Sequence, residues 1–151
     1  MDLFLWRHAD ALPGINDFER ELSPLGHLQS GKVAAWFREH AKPACPADLR
    51  ILVSPSVRTR QTIYHLRKES DIELCQPLYD NASPDEILNI IGWPDITIPT
   101  LIVGHQPQMG LLADRLLIGT PHPGSFRKGA LWWLRFEPGQ KNTQLVSVVE
   151  P

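Results

Sequence analysis

Three stretches of this chain are nearly unbroken apolar runs: Leu3-Phe4-Leu5-Trp6, Arg50-Ile51-Leu52-Val53 and Thr100-Leu101-Ile102-Val103-Gly104. A strand with one wet face alternates polar and apolar residues. A continuous run must be covered on both faces, as in a parallel sheet with helices above and below. Each run is followed by turn chemistry and then a helix-like stretch. That alternation predicts an α/β fold, a three-layer sandwich with a mostly parallel central sheet flanked by helices. Two further strands, Ala130–Phe136 and Thr143–Val149, flank the turn Pro138-Gly139-Gln140-Lys141-Asn142 and read as a terminal antiparallel hairpin.

The helices carry their own start signals. Ser23-Pro24 and Ser54-Pro55 each read as a cap followed by proline in the first turn, and Ser83-Pro84-Asp85-Glu86 adds acids where the helix dipole favours them. The first helix is predicted over about Pro24 to His40, with Leu25, Leu28, Val33, Trp36 and Phe37 as its apolar stripe. The second should bury Thr59, Thr62, Ile63 and Leu66, and the third should stop at Gly92-Trp93-Pro94. A fourth follows His105-Gln106-Pro107 and presents Met109, Leu112, Ala113 and Leu116. Ile72-Glu73-Leu74-Cys75 reads as a short edge strand, and Lys42 to Pro46 as the loop that ends the first helix.

Composition narrows the function classes. At 151 residues the chain is the size of one domain, residues 1–151. Its net charge of −2 gives no basic excess for nucleic acid, and no apolar run approaches the ~20 residues of a membrane span. No basic region followed by a long apolar stretch opens the chain, so a secretory signal is not expected. Cys45 and Cys75 lack metal or redox spacing; reduced thiols in a cytoplasmic protein are expected, with a single bridge between them left open. The five tryptophans suit helix–sheet packing, since no basic patch accompanies them. His27, His40 and His65 fall on helices and are expected to be surface or packing residues.

The chemistry-bearing residues gather where the predicted strands end. Arg7 and His8 leave the first run, Arg58 lies in the first turn after the second, and His105 leaves the third. In open α/β sheets that edge is where ligands bind. Arg7-His8 taken alone reads equally as a strand exit or as part of an anion site. Two guanidinium forks and two imidazoles at one edge suit a dianionic phosphoryl group, because guanidinium offers paired hydrogen bonds to its oxygens and helix N-termini add partial positive charge. A histidine held there by its neighbours can act as a nitrogen nucleophile on phosphorus.

These residues stand in motifs that resemble those of the histidine phosphatase superfamily, in its small SixA-type phosphohistidine phosphatase branch. The opening Arg-His-Gly motif is similar to Arg7-His8-Ala9, with Ala in place of the usual Gly. The Leu-Ser/Thr-x-x-Gly helix start resembles Leu22-Ser23-Pro24-Leu25-Gly26. Ser-Pro-x-x-Arg-x-x-Gln-Thr is complete as Ser54 to Thr62, and Gly/Ser-His-x-Pro resembles Gly104-His105-Gln106-Pro107. The motifs recur in order over most of the chain, and no large insertion of the kind that caps the larger relatives interrupts them.

The resemblance implies a phosphoglycerate mutase-like fold and a phosphatase without cofactor or metal. His8 would be the nucleophile, and Arg7, Arg58 and His105 would bind the phosphoryl oxygens. The family's general acid, a Glu in a Leu-x-Glu stretch, corresponds to Asp80 in Leu78-Tyr79-Asp80, one methylene shorter. Arg20 is a candidate substrate-binding residue from the rim, while His122, Arg127 and Lys128 are either pocket-mouth residues or ordinary solvated groups. The expected substrate is a phosphorylated protein bearing phosphohistidine. The alternatives are a small phosphate ester or a non-catalytic phosphoprotein-binding module, with neither nucleic acid nor membrane as partner.

Overall fold

The computed structural model describes residues 1–41, 48–119, 122 and 124–151. Lys42 to Pro46, and with it Cys45, lies outside the described residues. Six strands form one sheet: β1 (Asp2–Arg7), β2 (Arg50–Val53), β3 (Glu73–Leu74), β4 (Thr100–Gly104), β5 (Leu131–Arg135) and β6 (Gln144–Val149), in the order β3-β2-β4-β1-β5-β6. The pairs β3–β2, β2–β4 and β4–β1 are parallel, whereas β1–β5 and β5–β6 are antiparallel. Four helices, α1 (Pro24–His40), α2 (Val57–Tyr64), α3 (Pro84–Ile91) and α4 (Gln108–Leu116), complete a three-layer α/β sandwich. Among the described residues no helix is long and apolar enough to cross a membrane.

The apolar runs are buried on both faces, as their lack of alternation requires. Leu3, Leu5, Leu52 and Ile102 pack with Ile87 and Ile91 of α3 and with Met109 and Leu112 of α4. Their neighbours Phe4, Trp6, Ile51, Val53, Leu101 and Val103 pack on the other side with Val33, Ala34 and Phe37 of α1 and Ile63 of α2. β3 is shorter than the edge strand expected from the sequence, but it stands at the sheet's edge beside β2.

Two local readings are corrected. The stripe of α1 does not include Leu25 or Leu28, which are exposed; Gly26, Ser30, Val33, Ala34 and Phe37 are buried instead. The helix turns its small residues inward because its first turn presses on the loop after β1. A Cβ at Gly26 would lie 1.9 Å from the Asp10 carbonyl oxygen, so only glycine fits. Second, Ser54 is not a cap. α2 starts after Ser56, and the Ser54 hydroxyl turns to the site described next. The Ser23 cap is as expected, its hydroxyl accepting from Gly26 N–H at 3.0 Å, and Ser83 and Glu86 close a full capping box on α3.

Candidate active site

The central position of β1 puts its carboxyl end beside that of β4, and β2 lies on the far side of β4. Main-chain bonds extend the sheet past the strands. His8 N–H donates to Gly104 O and Ser54 N–H donates to Val103 O, both at 3.0 Å. His8, Ser54 and His105 are therefore fixed relative to one another by backbone, before any side-chain contact. Arg58 joins them from the first turn of α2 with 6% of its surface exposed.

His8 is locked in one orientation. Its Nδ1 lies 2.7 Å from Ala9 O, and a carbonyl only accepts, so Nδ1 carries the proton. The lone pair is then on Nε2, which receives the Arg58 Nε–H at 3.4 Å. Ala9 is fully buried, its own N–H donating to the Thr62 hydroxyl at 3.2 Å. Thr62 donates in turn to Arg58 O at 2.8 Å, and the side-chain Oε1 of Gln61 accepts from Leu22 N–H at 2.7 Å. The Gln61-Thr62 pair thus braces both ends of the segment from Ala9 to Leu22.

His105 is held the opposite way round. Its Nδ1 accepts from Arg58 Nη2 at 3.3 Å, and Nε2 sits 2.7 Å from the Ser54 hydroxyl. The two imidazole centroids are 5.2 Å apart with the guanidinium of Arg58 bridging them. Burial, opposed by the Ala9 bond and assisted by the charges of Arg58, Arg7 and Arg20, lowers His8 from 6.5 to about 4. Burial, with His8, Arg58 and Arg7 outweighing the attraction of Asp17, lowers His105 to about 3. Both rings are neutral at physiological pH.

Arg7 donates from Nη1 to Phe126 O at 2.8 Å, while its buried Nε has no partner among the described residues. Leaving such a donor unpaired typically costs about 1–3 kcal/mol. Burial also lowers the affinity of the guanidinium for its proton. An anion in reach of this group relieves both penalties.

Arg20 reaches the rim only. It donates to Leu12 O at 2.9 Å and lies 3.4 Å from Asp17 Oδ1, so it braces the loop before α1 and acts on His8 through its charge. Asp80 lines the mouth of a cavity of about 500 Å³ with Asp17, Arg58, Tyr79, Asn81, His105 and Gln106. Its carboxylate accepts from Gln76 Nε2 at 3.1 Å, and it is exposed. Lys128 pairs with Asp10, Arg127 with Glu150 and His122 with Asp114, and none of the three lines that cavity.

Sequence reasoning missed Ser54, Asp17 and Tyr79. For Ser54 the signal was its place at a strand's end, obscured by the helix-start reading of Ser-Pro. Asp17 gave none, because it belongs to a turn-rich loop whose return over the site is a tertiary event. It opens a short 3-10 turn, Asp17–Glu19, capped by Asn16.

No family model matches the chain. An uncharacterized protein of Mycobacterium tuberculosis is 34% identical over 110 residues, 71% of this chain, which spans 66% of that protein's length. A phosphohistidine phosphatase SixA homolog of Haemophilus influenzae is 27% identical over 161 residues, covering 100% of this chain and 97% of its own. The crystal structure of the protein assigned as phosphohistidine phosphatase SixA in Agrobacterium tumefaciens superposes with a TM-score of 0.77 at 27% identity, covering 99% of this chain and 97% of that one. Full-length likeness in fold and in sequence thus joins a sheet edge at which an arginine–histidine pair, a second arginine and a second histidine converge. This likeness fits the histidine phosphatase superfamily, in its small SixA-type branch.

Proposed function

We propose that this chain is a phosphatase that hydrolyses phosphohistidine on a protein through a covalent phospho-His8 intermediate. The observation that carries the reading is the state of His8: a neutral, buried imidazole whose Nδ1–H is tied to Ala9 O and whose Nε2 lone pair faces Arg58. A nucleophile needs that lone pair available, and a phosphoryl group needs cations around it.

In the first step His8 Nε2 attacks phosphorus, the bond to the substrate's imidazole breaks, and the leaving nitrogen takes a proton. In the second, water attacks phosphorus, the P–Nε2 bond breaks, and inorganic phosphate leaves. Arg7 and Arg58 hold the equatorial oxygens in both steps. A dianion between the rings offsets the burial and the cationic repulsion that keep His105 neutral, so His105 Nδ1 takes a proton and donates to a phosphoryl oxygen. Charge is met by these groups rather than by a metal ion. Asp80 at the mouth is a candidate acid for leaving groups that reach the rim.

A protein substrate suits a cavity that opens to the surface beside the exposed Asp80 and Asn81, and the SixA names of the Haemophilus and Agrobacterium relatives support it. The free thiol of Cys75 supports a cytoplasmic setting. The test is turnover of a phosphohistidine protein beside a panel of phosphomonoesters, with an alkaline quench to map the adduct. Phosphate on His8 and a higher kcat/KM for the phosphohistidine protein are expected. An adduct elsewhere would overturn the mechanism, and preference for an alkyl phosphate would overturn the substrate.

A further inference from the structure

Each guanidinium nitrogen of Arg58 already has a partner. Nε donates to His8 Nε2, Nη1 to Asp17 O at 2.6 Å, and Nη2 to both His105 Nδ1 and Asp17 Oδ2, the last at 3.1 Å. The Asp17 carboxylate therefore holds the guanidinium edge that a phosphoryl oxygen needs. Its Oδ2 also accepts from the Tyr79 hydroxyl at 3.1 Å, and its Oδ1 lies 3.4 Å from Arg20 Nη1. The side chain is 56% exposed at the cavity mouth, against 7% for Arg58, so the carboxylate reaches solvent where the guanidinium does not.

We propose that Asp17 is a catalytic residue: the phosphoryl group displaces its carboxylate from Arg58, and Asp17 then carries the proton to the leaving group and takes one from the attacking water. The proposal rests on the phospho-His8 reading above. In the free protein burial works to raise the Asp17 carboxyl, but the bond and charge of Arg58, with the bonds from Tyr79 and Arg20, hold it below the ordinary range. A dianion on Arg58 removes that attraction and adds repulsion, so the carboxyl takes up a proton as substrate binds. When His8 Nε2 attacks, the bond from phosphorus to the leaving atom breaks and that atom takes the Asp17 proton. When water attacks phospho-His8, its proton goes to the Asp17 carboxylate, and Nε2 leaves with its electron pair. Both steps balance without another reactant. Asp80, bonded to Gln76, has no such tie to the phosphate-binding cation.

Two aryl phosphates separate this role from a structural one. Nitrophenolate leaves without a proton, whereas phenolate needs one. In Asp17→Asn we expect kcat/KM for phenyl phosphate to fall about 10²-fold or more, and that for p-nitrophenyl phosphate by about tenfold at most. Inorganic phosphate should inhibit the variant at lower concentration than wild type, because no carboxylate competes for Arg58. Calorimetry in two buffers should show less proton uptake on phosphate binding by Asp17→Asn, which also verifies that its site is folded. Tyr79→Phe, which removes one bond to the carboxylate, should move the alkaline limb of phenyl phosphate turnover upward. Equal losses on both aryl phosphates, unchanged proton uptake, or the selective loss appearing in Asp80→Asn instead would overturn the role of Asp17. A wild type that never labels on His8 would overturn the phosphatase reading itself.

Discussion

Two pairs of histidines lie in this molecule at almost the same separation. His8 and His105 face each other at the carboxyl edge of the sheet, with centroids 5.2 Å apart. His27 of α1 and His65, just past α2, face each other on the outer surface at 5.3 Å, with Nδ1 and Nε2 3.0 Å apart. The inner pair has a buried guanidinium between its rings, a carbonyl that fixes one tautomer and a hydroxyl on the far nitrogen. The outer pair bonds to itself beside Gln61 and Tyr64, and His27 is exposed. Imidazole proximity is therefore not what makes a site. The difference lies in burial and in cations that converge on a lone pair with nowhere else to go.

The largest effect should come from removing the nucleophile. His8→Ala is expected to lower turnover of a phosphohistidine protein by about 10⁴-fold or more, while His65→Ala leaves it intact. Steady-state rates on the two variants decide this, and comparable losses would erase the distinction between the pairs.

Next in size are the groups around the inner pair. Arg7→Ala, Arg58→Ala and His105→Ala should each cost about 10²–10³-fold in kcat/KM. Lysine at Arg7 or Arg58 should rescue poorly, since it lacks the paired donors. An Arg58→Ala variant within about threefold of wild type would remove Arg58 from the site.

A smaller effect concerns pH. Because His8 is lowered to about 4 and His105 to about 3, neither Cε1–H resonance should titrate between pH 8 and 5. The unfolded chain, with both imidazoles near 6.5, binds more protons than the folded one between that value and the lowered ones. Stability from these groups is present above pH 6.5 and is lost as pH falls through that window. Denaturant midpoints from pH 7 to 5 should show the slope, and His8→Asn should flatten it. A His8 resonance that titrates near 6.5 would mean that its ring is not desolvated.

The smallest effects are expected at the outer pair and from chelation. His27→Ala should shift stability by no more than about 0.5 kcal/mol, as for other exposed positions, and a thermal melt is enough to read it. EDTA should leave phosphatase activity unchanged, because Arg7, Arg58 and His105 carry the charge. Loss in chelator with recovery on one divalent cation would reassign that charge to a metal.

Much was legible before any coordinates. Unbroken apolar runs such as Leu3–Trp6 and Leu101–Val103 have to be covered on both faces, and the terminal hairpin follows from two strands around a Pro-Gly turn. Arg7, His8, Arg58 and His105 were readable because each sits at a strand exit or first helical turn, where local pattern and position in the fold coincide. Periodicity failed where tertiary contact overrode it. Leu25 and Leu28 are exposed because the close approach of Gly26 to Asp10 sets the rotation of α1. Ser54 left its expected cap for His105 because β2 and β4 end side by side. What the chain order determined by itself was which backbone positions reach the sheet edge that carries the candidate site, since strand burial and capping act within a few residues. Only the tertiary structure decided the protonation of His8, the bridging of both rings by Arg58 and the arrival of Asp17 over the site. Those depend on desolvation and on charges brought together from distant parts of the chain.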